Sequence, residues 1–307
     1  RLMTLPLIDG ALFLDATAFE KYTTCRRSFQ YYFLHKREAV GQRPALEAGA
    51  IFHEAMLVRR KLEHKMSLEL YELAQERAIH RCYQGWTPPL DDFRTESHLI
   101  DVIRAYNRSP IMQNTFTPLI GLDGEPMAEV PFAEYLMTVT TANDWDIPVY
   151  WCGRLDYPTL WGDELWNLDY KTTTMDNGFD EYLNNHAQIG YLWALWKKTN
   201  KLPAGFVIDL VLWRKPSAKG KGIEFKRHRE RIERTRIEEW FNTTCMIVED
   251  IIRDSKANRL PMETAWCKGK WGFCPYLDIC KLPPDNRQLL LESAFYKDVT
   301  WNPLRQP

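Results

Sequence analysis

The sequence predicts an α/β or α+β protein with one central mixed β-sheet flanked by helices. Three observations carry that expectation. Apolar residues recur at helical spacing through much of residues 17–107. Between Met127 and Lys171 the pattern switches to extended runs rich in Val, Tyr, Trp and Thr, separated by turn residues. A further helical stretch then divides those runs from a second strand pair, the order expected when helices cover a sheet.

The elements follow in chain order. Thr17-Ala18-Phe19-Glu20 has the capping-box pattern and opens a helix that carries Cys25 and runs towards His35. A second helix is expected over 46–62, a third from Ser67, and a fourth over 96–107. Strands are expected within 127–141, 147–160 and 164–171, then a helix over 181–198 and a strand over 206–213. A Gly/Lys-rich hairpin loop at 217–222 leads to another strand ending near Ile232, followed by a helix over 237–254. The tail after Leu260 is rich in Pro, Gly and Cys and reads as irregular. This divides the chain into a helical region (1–126), a core (127–260) and a cysteine-rich tail (261–307), expected to form one integrated domain.

Composition narrows the function classes. With 45% hydrophobic and 26% charged residues in 307, the chain is ordinary globular material, neither disordered nor collagenous. Forty basic against 41 acidic side chains give a net charge of −1, so any nucleic-acid surface must be a local patch. The longest apolar run, around 205–213, is broken by Asp209, so no membrane contact is expected and a cytoplasmic location is. Seven cysteines, an odd count, do not suggest a secreted disulfide scaffold. Cys82, Cys152 and Cys245 stand alone in apolar surroundings and read as buried thiols.

The chemistry concentrates in Gly153-Arg154-Leu155-Asp156, Trp161-Gly162-Asp163-Glu164 and Leu168-Asp169-Tyr170-Lys171. If Gly162-Asp163 is a two-residue hairpin turn, Trp161 pairs with Glu164, and counting outward sets Asp156 opposite Asp169. That pair falls at a non-hydrogen-bonded site, where facing Cα atoms approach to about 4.5 Å. Two carboxylates so placed repel unless one takes a proton or a cation sits between them. Lys171 shares their face, while Trp166, Leu168 and Tyr170 point the other way as a core layer. Two acids and a lysine on one patch can bind Mg²⁺ or Mn²⁺ and steer a water. A plain surface charge cluster on a hairpin is the alternative.

Gly153-Arg154-Leu155-Asp156 followed by Asp169-Tyr170-Lys171 resembles the PD-(D/E)XK nuclease superfamily, in particular its RecB-type exonuclease branch, which includes CRISPR-associated adaptation exonucleases. Further residues match in order. Gly49-Ala50-Ile51-Phe52-His53 resembles the branch's helical element whose histidine ligates metal, and Glu129 resembles an upstream acid of the same site. Gln188-Ile189-Gly190-Tyr191 resembles the helical Gln/Tyr element that helps hold substrate. It has two intervening residues where the family has three, yet both spacings keep the pair on one helical face. Asn184 extends that face into a polar ladder. The resemblance implies a restriction-endonuclease-like core in which His53, Asp156 and Asp169 ligate the metal, Lys171 orients or activates the attacking water, and Glu129, Gln188 and Tyr191 complete the site. By spacing alone His53 belongs to the apolar stripe Leu46, Ala50, His53 and Leu57, where a core role is the commoner one.

Cys267, Cys274 and Cys280 crowd the tail, and Cys25 can supply a fourth thiolate. Four thiolates fit an iron–sulfur cluster or a structural zinc. The resemblance implies a 4Fe-4S cluster joining the N-terminal helices to the tail, although its members place two residues between the first two cysteines of the trio and this chain places six. Residues 214–236 hold ten Lys/Arg against three Glu, and Lys226, Arg227 and Arg229 are candidates for phosphate contact. The expected function is therefore a Mg²⁺- or Mn²⁺-dependent exonuclease acting on single-stranded DNA ends. The resemblance suggests repair, recombination, phage DNA metabolism or CRISPR-type adaptation, with protein partners to match. The rival readings are a non-catalytic zinc- or iron–sulfur-containing nucleic-acid-binding module and a nuclease subunit active only in an assembly.

Overall fold

The structure is a computed structural model that describes residues 5–41, 43–113, 116–141, 145–176, 179–183, 185–216, 222–269 and 272–299. Its first elements are β1 (Leu12–Leu14), α1 (Ala16–Thr24), α2 (Arg26–Phe29, continued by a π-helical turn Gln30–Leu34), β2 (Arg37–Ala39), α3 (Pro44–Leu62), α4 (Leu68–Gly85) and α5 (Glu96–Arg108). The middle of the chain forms β3 (Thr117–Pro118), β4 (Val130–Thr140), β5 (Asp146–Leu155), β6 (Tyr157–Trp161), β7 (Glu164–Thr173), α6 (Asp180–Leu183), α7 (His186–Thr199), β8 (Gly205–Trp213) and β9 (Ile223–Arg231). The last elements are α8 (Arg234–Lys256), β10 (Lys268–Gly269), β11 (Gly272–Phe273), α9 (Leu277–Lys281), α10 (Pro284–Leu291) and β12 (Tyr296–Asp298). They group into two compact units, one of residues 43–131 and 154–238, the other of 1–42, 132–153 and 239–307.

The first unit is built on a five-stranded mixed sheet of order β3-β6-β7-β8-β9. All neighbours are antiparallel except β7 and β8, whose parallel pairing needs the helical crossover through α7. Gly162 opens the β6–β7 turn at φ 59°, a conformation glycine adopts without steric cost, and Trp161 pairs with Glu164 as the turn chemistry requires. Trp166, Leu168 and Tyr170 of β7 join Val207, Val211 and Trp213 of β8 on one face. There they pack with Ile51, Phe52 and Met56 of α3, Ile79 of α4, and Leu99, Val102 and Ile103 of α5. Each fully buried side chain of this size is worth about 1.5–3 kcal/mol in transfer free energy. The opposite face carries Leu165, Asp169 and Lys171 of β7 with Ile208, Leu210 and Leu212 of β8, and α7 packs on these two strands.

The second unit holds a three-stranded sheet of order β1-β5-β4, in which β1 runs parallel to β5. Trp151 of β5 is fully buried and meets the rings of Phe19 on α1 and Trp240 on α8 edge-on. Tyr22 donates to Asp254 at 2.7 Å, fastening α1 to the end of α8.

Several expectations are corrected. The cap of α1 is Asp15, which accepts from Ala18 N–H at 2.7 Å, so the helix starts one residue before Thr17. That helix also stops at Cys25, whose backbone is extended (φ −155°, ψ 108°). β4 and β5 do not extend the five-stranded sheet: β5 pairs with β1 on one side and β4 on the other. The helix expected over 181–198 is two, with Asn185 capping α7 by accepting from Ala187 N–H. The tail is not irregular: it forms the β10–β11 pair, two helices, and β12 paired with β2. Asn184 and residues 217–221 of the Gly/Lys-rich loop lie outside the described residues.

Candidate active site and metal centre

The buried face of α3 is Ala48, Ile51, Phe52, Ala55, Met56, Arg59 and Arg60, one residue round from the expected apolar stripe; Leu46 of that stripe is 63% exposed. His53 therefore sits on the flank of the helix and not in its core face. A Cβ on Gly49 would lie 3.2 Å from Oγ1 of Thr172, so the glycine lets α3 run close against β7. One turn later His53 reaches over Tyr170, ring edge to ring face at 5.8 Å. Its Nδ1 lies 2.9 Å from Oε1 of Glu129 and 3.5 Å from Oδ2 of Asp156.

Asp156 occupies the bend between β5 and β6. The counted register holds through Tyr157 opposite Leu168, and the ladder ends one residue before the two aspartates face each other. Oδ2 of Asp156 accepts from the N–H of Tyr170 at 2.9 Å, while its main-chain carbonyl accepts from Glu129 N–H at 2.8 Å. Glu129 adopts φ 50°, unusual for a residue with a side chain, as the chain turns into β4. His53, Glu129 and Asp156 thereby offer ligand atoms all within 4.8 Å of one another. Arg154 Nη1 stands 3.7 Å from the other Glu129 oxygen.

Asp169, buried, lies beside this set, and Lys171 Nζ contacts its Oδ2 at 2.5 Å. Burial raises the Asp156 carboxyl well above the usual carboxylate range, with Asp169 and Glu129 adding to the rise against His53 and Lys171. Burial would lower His53, but Asp156 and Glu129 outweigh it and hold the imidazole proton more tightly than usual. For Lys171 too, burial is overcome by Asp169 and Asp156, so its ammonium stays charged. A buried carboxyl at Asp156 that holds its proton, beside the Glu129 carboxylate and one imidazole, is a donor set that a hard divalent cation fits, since it would replace the proton.

The structure brings other candidates near and sets some apart. Gln188 is buried on α7, and Tyr191 is close enough to Lys171 to act on its ammonium. The three candidate phosphate contacts on β9, Lys226, Arg227 and Arg229, do not all share a face. Lys171, Leu210 and Lys226 form one row across the sheet, and Tyr170, Asp209 and Arg227 form the next, on the opposite side. Lys226 is bonded to Asp176 at 2.7 Å, and Arg227 forks onto Asp209 at 2.6 and 2.7 Å. Arg229 lies 3.5 Å above the Trp161 ring. Sequence reasoning missed Arg60, whose buried guanidinium holds Tyr170. Its spacing of two turns from His53 was the available signal.

The second unit carries the tail cysteines. Lys268 pairs with Phe273, and Cys274 N–H donates to the Cys267 carbonyl at 2.9 Å, so a hairpin brings the first two tail cysteines side by side. Cys25 is drawn to the same region. Arg26 N–H donates to Glu263 at 2.9 Å, and Arg27 N–H to the Pro261 carbonyl at 3.0 Å. Burial raises the Cys274 and Cys280 thiols. Cys25 and Cys267 raise Cys274 further, and Cys274 and Cys25 do the same to Cys280. Among the described residues no three thiols lie within 4.8 Å of one another, whereas a tetrahedral zinc with 2.3 Å bonds sets its sulfurs about 3.8 Å apart.

Among the described residues no helix is long and apolar enough to cross a membrane. The solved structure named "Putative exonuclease" from Eubacterium rectale superposes with a TM-score of 0.51 at 11% identity, covering 90% of this chain and 92% of that one, and so shares its fold. The structure of SSO0001 aligns at 12% identity and a TM-score of 0.23, over 75% of this chain and 82% of that one, too low a likeness to bear on the fold. No curated protein matches. The model of the PD-(D/E)XK nuclease superfamily matches residues 14–281, a span that holds Gly49 to Lys171 and all four clustered cysteines. By that match the chain belongs to the PD-(D/E)XK nuclease superfamily.

Proposed function

We propose that this protein is a metal-dependent deoxyribonuclease that degrades single-stranded DNA from a free end. The observation that carries the reading is the convergence of His53, Glu129 and Asp156 beside the Asp169–Lys171 pair. His53, Asp156 and Asp169, with Glu129 against the histidine, would hold Mg²⁺ or Mn²⁺. Such an ion supplies a nucleophilic water at neutral pH and neutralises phosphate charge. Lys171, fixed by Asp169, orients that water and stabilises the charge that builds on the phosphate oxygens. Tyr191, near the lysine, and Gln188 on the same helix are assigned as substrate contacts. Lys226, in the same cross-sheet row as Lys171, is assigned to the DNA backbone.

The exonuclease part of the proposal draws on the description of the Eubacterium rectale protein and on a single metal patch, which suits one threaded strand better than a symmetrically held duplex. We assign Cys25, Cys267, Cys274 and Cys280 to a 4Fe-4S cluster. The hairpin that brings Cys267 beside Cys274 supports a shared thiolate site.

Linear and circular single strands of one sequence, incubated with and without Mn²⁺, test the assignment. Mn²⁺-dependent loss of the linear strand alone is expected. Equal loss of both would make the protein an endonuclease, and no loss of either would leave a binding module.

A further inference from the structure

We propose that Arg60 is a positioning residue that holds, from behind the sheet, the two residues following Asp156 and Asp169, and so sets the spacing of those carboxylates. The inference rests on the reading of the two aspartates as ligands of a divalent cation.

Arg60 lies on α3 two turns beyond His53 and is completely buried. Its Nε donates to the hydroxyl of Tyr170 at 2.6 Å. Its guanidinium carbon sits 4.3 Å from the centre of the Tyr157 ring and 5.7 Å from that of Tyr170. Nη1 donates to Glu63 at 2.8 Å, and Arg59 holds the other Glu63 oxygen at 2.9 Å.

Tyr157 follows Asp156 and Tyr170 follows Asp169. Tyr157 and Tyr170 both belong to the helix-side core layer, and successive side chains of a strand take opposite faces. One planar cation between the two rings therefore fixes the backbone that carries Asp156 and Asp169. Tyr170 also donates its N–H to Asp156 at 2.9 Å, so a shift of its ring moves an Asp156 partner directly.

Burying an arginine is costly, and an apolar side chain in the same core would serve stability as well or better. A forked, planar cation does what an apolar residue cannot, gripping a hydroxyl and a ring face at once. Because α3 also carries His53, one helix aligns all three proposed ligands.

The test is Mn²⁺ binding to the full-length, DNA-free protein, read from the electron paramagnetic resonance signal of free Mn²⁺ well below the melting temperature. Tyr170→Phe removes only the hydroxyl. Arg60→Met removes the guanidinium and leaves Glu63 paired with Arg59. Both are expected to bind Mn²⁺ about 10- to 100-fold more weakly than wild type. Wild-type affinity in both, with Asp156→Asn unable to bind, overturns the positioning role and leaves the metal site standing. If Arg60→Met does not fold, Tyr170→Phe decides alone. Absence of Mn²⁺ binding in the wild type, or binding unchanged in Asp156→Asn, overturns the metal reading and the positioning role with it.

Discussion

Tyr170 donates its backbone N–H to the carboxylate of Asp156 at 2.9 Å, so a site side chain satisfies an amide that a continued β6–β7 ladder would have given to the Leu155 carbonyl. The carboxylate thus serves the fold as well as the site, and its two replacements should behave differently. Asp156→Asn keeps an acceptor for Tyr170 and removes repulsion with Asp169 and Glu129, so its melting temperature should equal or exceed wild type. Asp156→Ala leaves the Tyr170 amide buried and unpaired, a cost of about 1–3 kcal/mol. Both should lose nuclease activity at least 100-fold. Thermal melts beside the cleavage assay check this, and equal stability of the two variants would count against it.

Gly49 should not accept a larger residue. Valine has a better helix propensity than glycine, so a destabilised Gly49→Val must owe its loss to contact with Thr172. The expected cost is about 1–3 kcal/mol, with activity falling more than tenfold because α3 carries His53. Chemical denaturation gives the first number and initial rates the second.

Lys226 and Arg227 are neighbours in sequence with opposite duties. Arg227→Ala strands Asp209, which is 0% exposed and also accepts from Tyr106, and should cost about 3–5 kcal/mol. Lys226→Ala should leave the melting temperature within a degree or two. It should weaken DNA binding and flatten its salt dependence, because a released phosphate contact releases fewer counterions. Affinity measured at several salt concentrations separates the two.

Acid should weaken the protein partly through His186. Burial lowers its pKa to about 4, whereas the unfolded residue titrates near 6.5. Between those values the unfolded chain binds more protons, so stability rises with pH and is lost as pH falls from about 6.5 towards 4. The contribution between pH 7 and pH 5 is about 2 kcal/mol. His186→Leu should show a correspondingly smaller loss of stability over that interval in urea titrations.

Substituting Cys25, Cys267, Cys274 or Cys280 by Ser should remove bound iron from anaerobically purified protein and loosen the tail, because ligand binding is coupled to folding. Cys82→Ser, Cys152→Ser and Cys245→Ser should retain it. Stoichiometric zinc without iron in the wild type would replace the cluster with a zinc site.

The parts of the fold that were legible in the sequence are those that local chemistry decides. Gly162-Asp163 announces its turn, and the turn fixes every pair out to Tyr157 and Leu168. The pairing of β5 with β1 was not legible, because Leu12–Leu14 lies more than a hundred residues away. The end of α1 at Cys25 has no Gly or Pro to mark it; tertiary contacts of Arg26 and Arg27 turn the chain there. For the candidate site, the motifs single out His53, Asp156, Asp169 and Lys171, which lie in one neighbourhood of the first unit. Charge counting groups Lys226, Arg227 and Arg229 together, whereas the two-residue period of a strand sets Lys226 and Arg227 on opposite faces.

The β10–β11 hairpin has a consequence for how such chains vary. The feet of a hairpin stay one strand spacing apart whatever the length of its arms, and each added pair of residues, one per strand, lengthens both arms equally. The distance between Cys267 and Cys274 is therefore decoupled from the number of residues between them. Lengthening or trimming both strands together, two residues at a time, would leave the two sulfurs where they are.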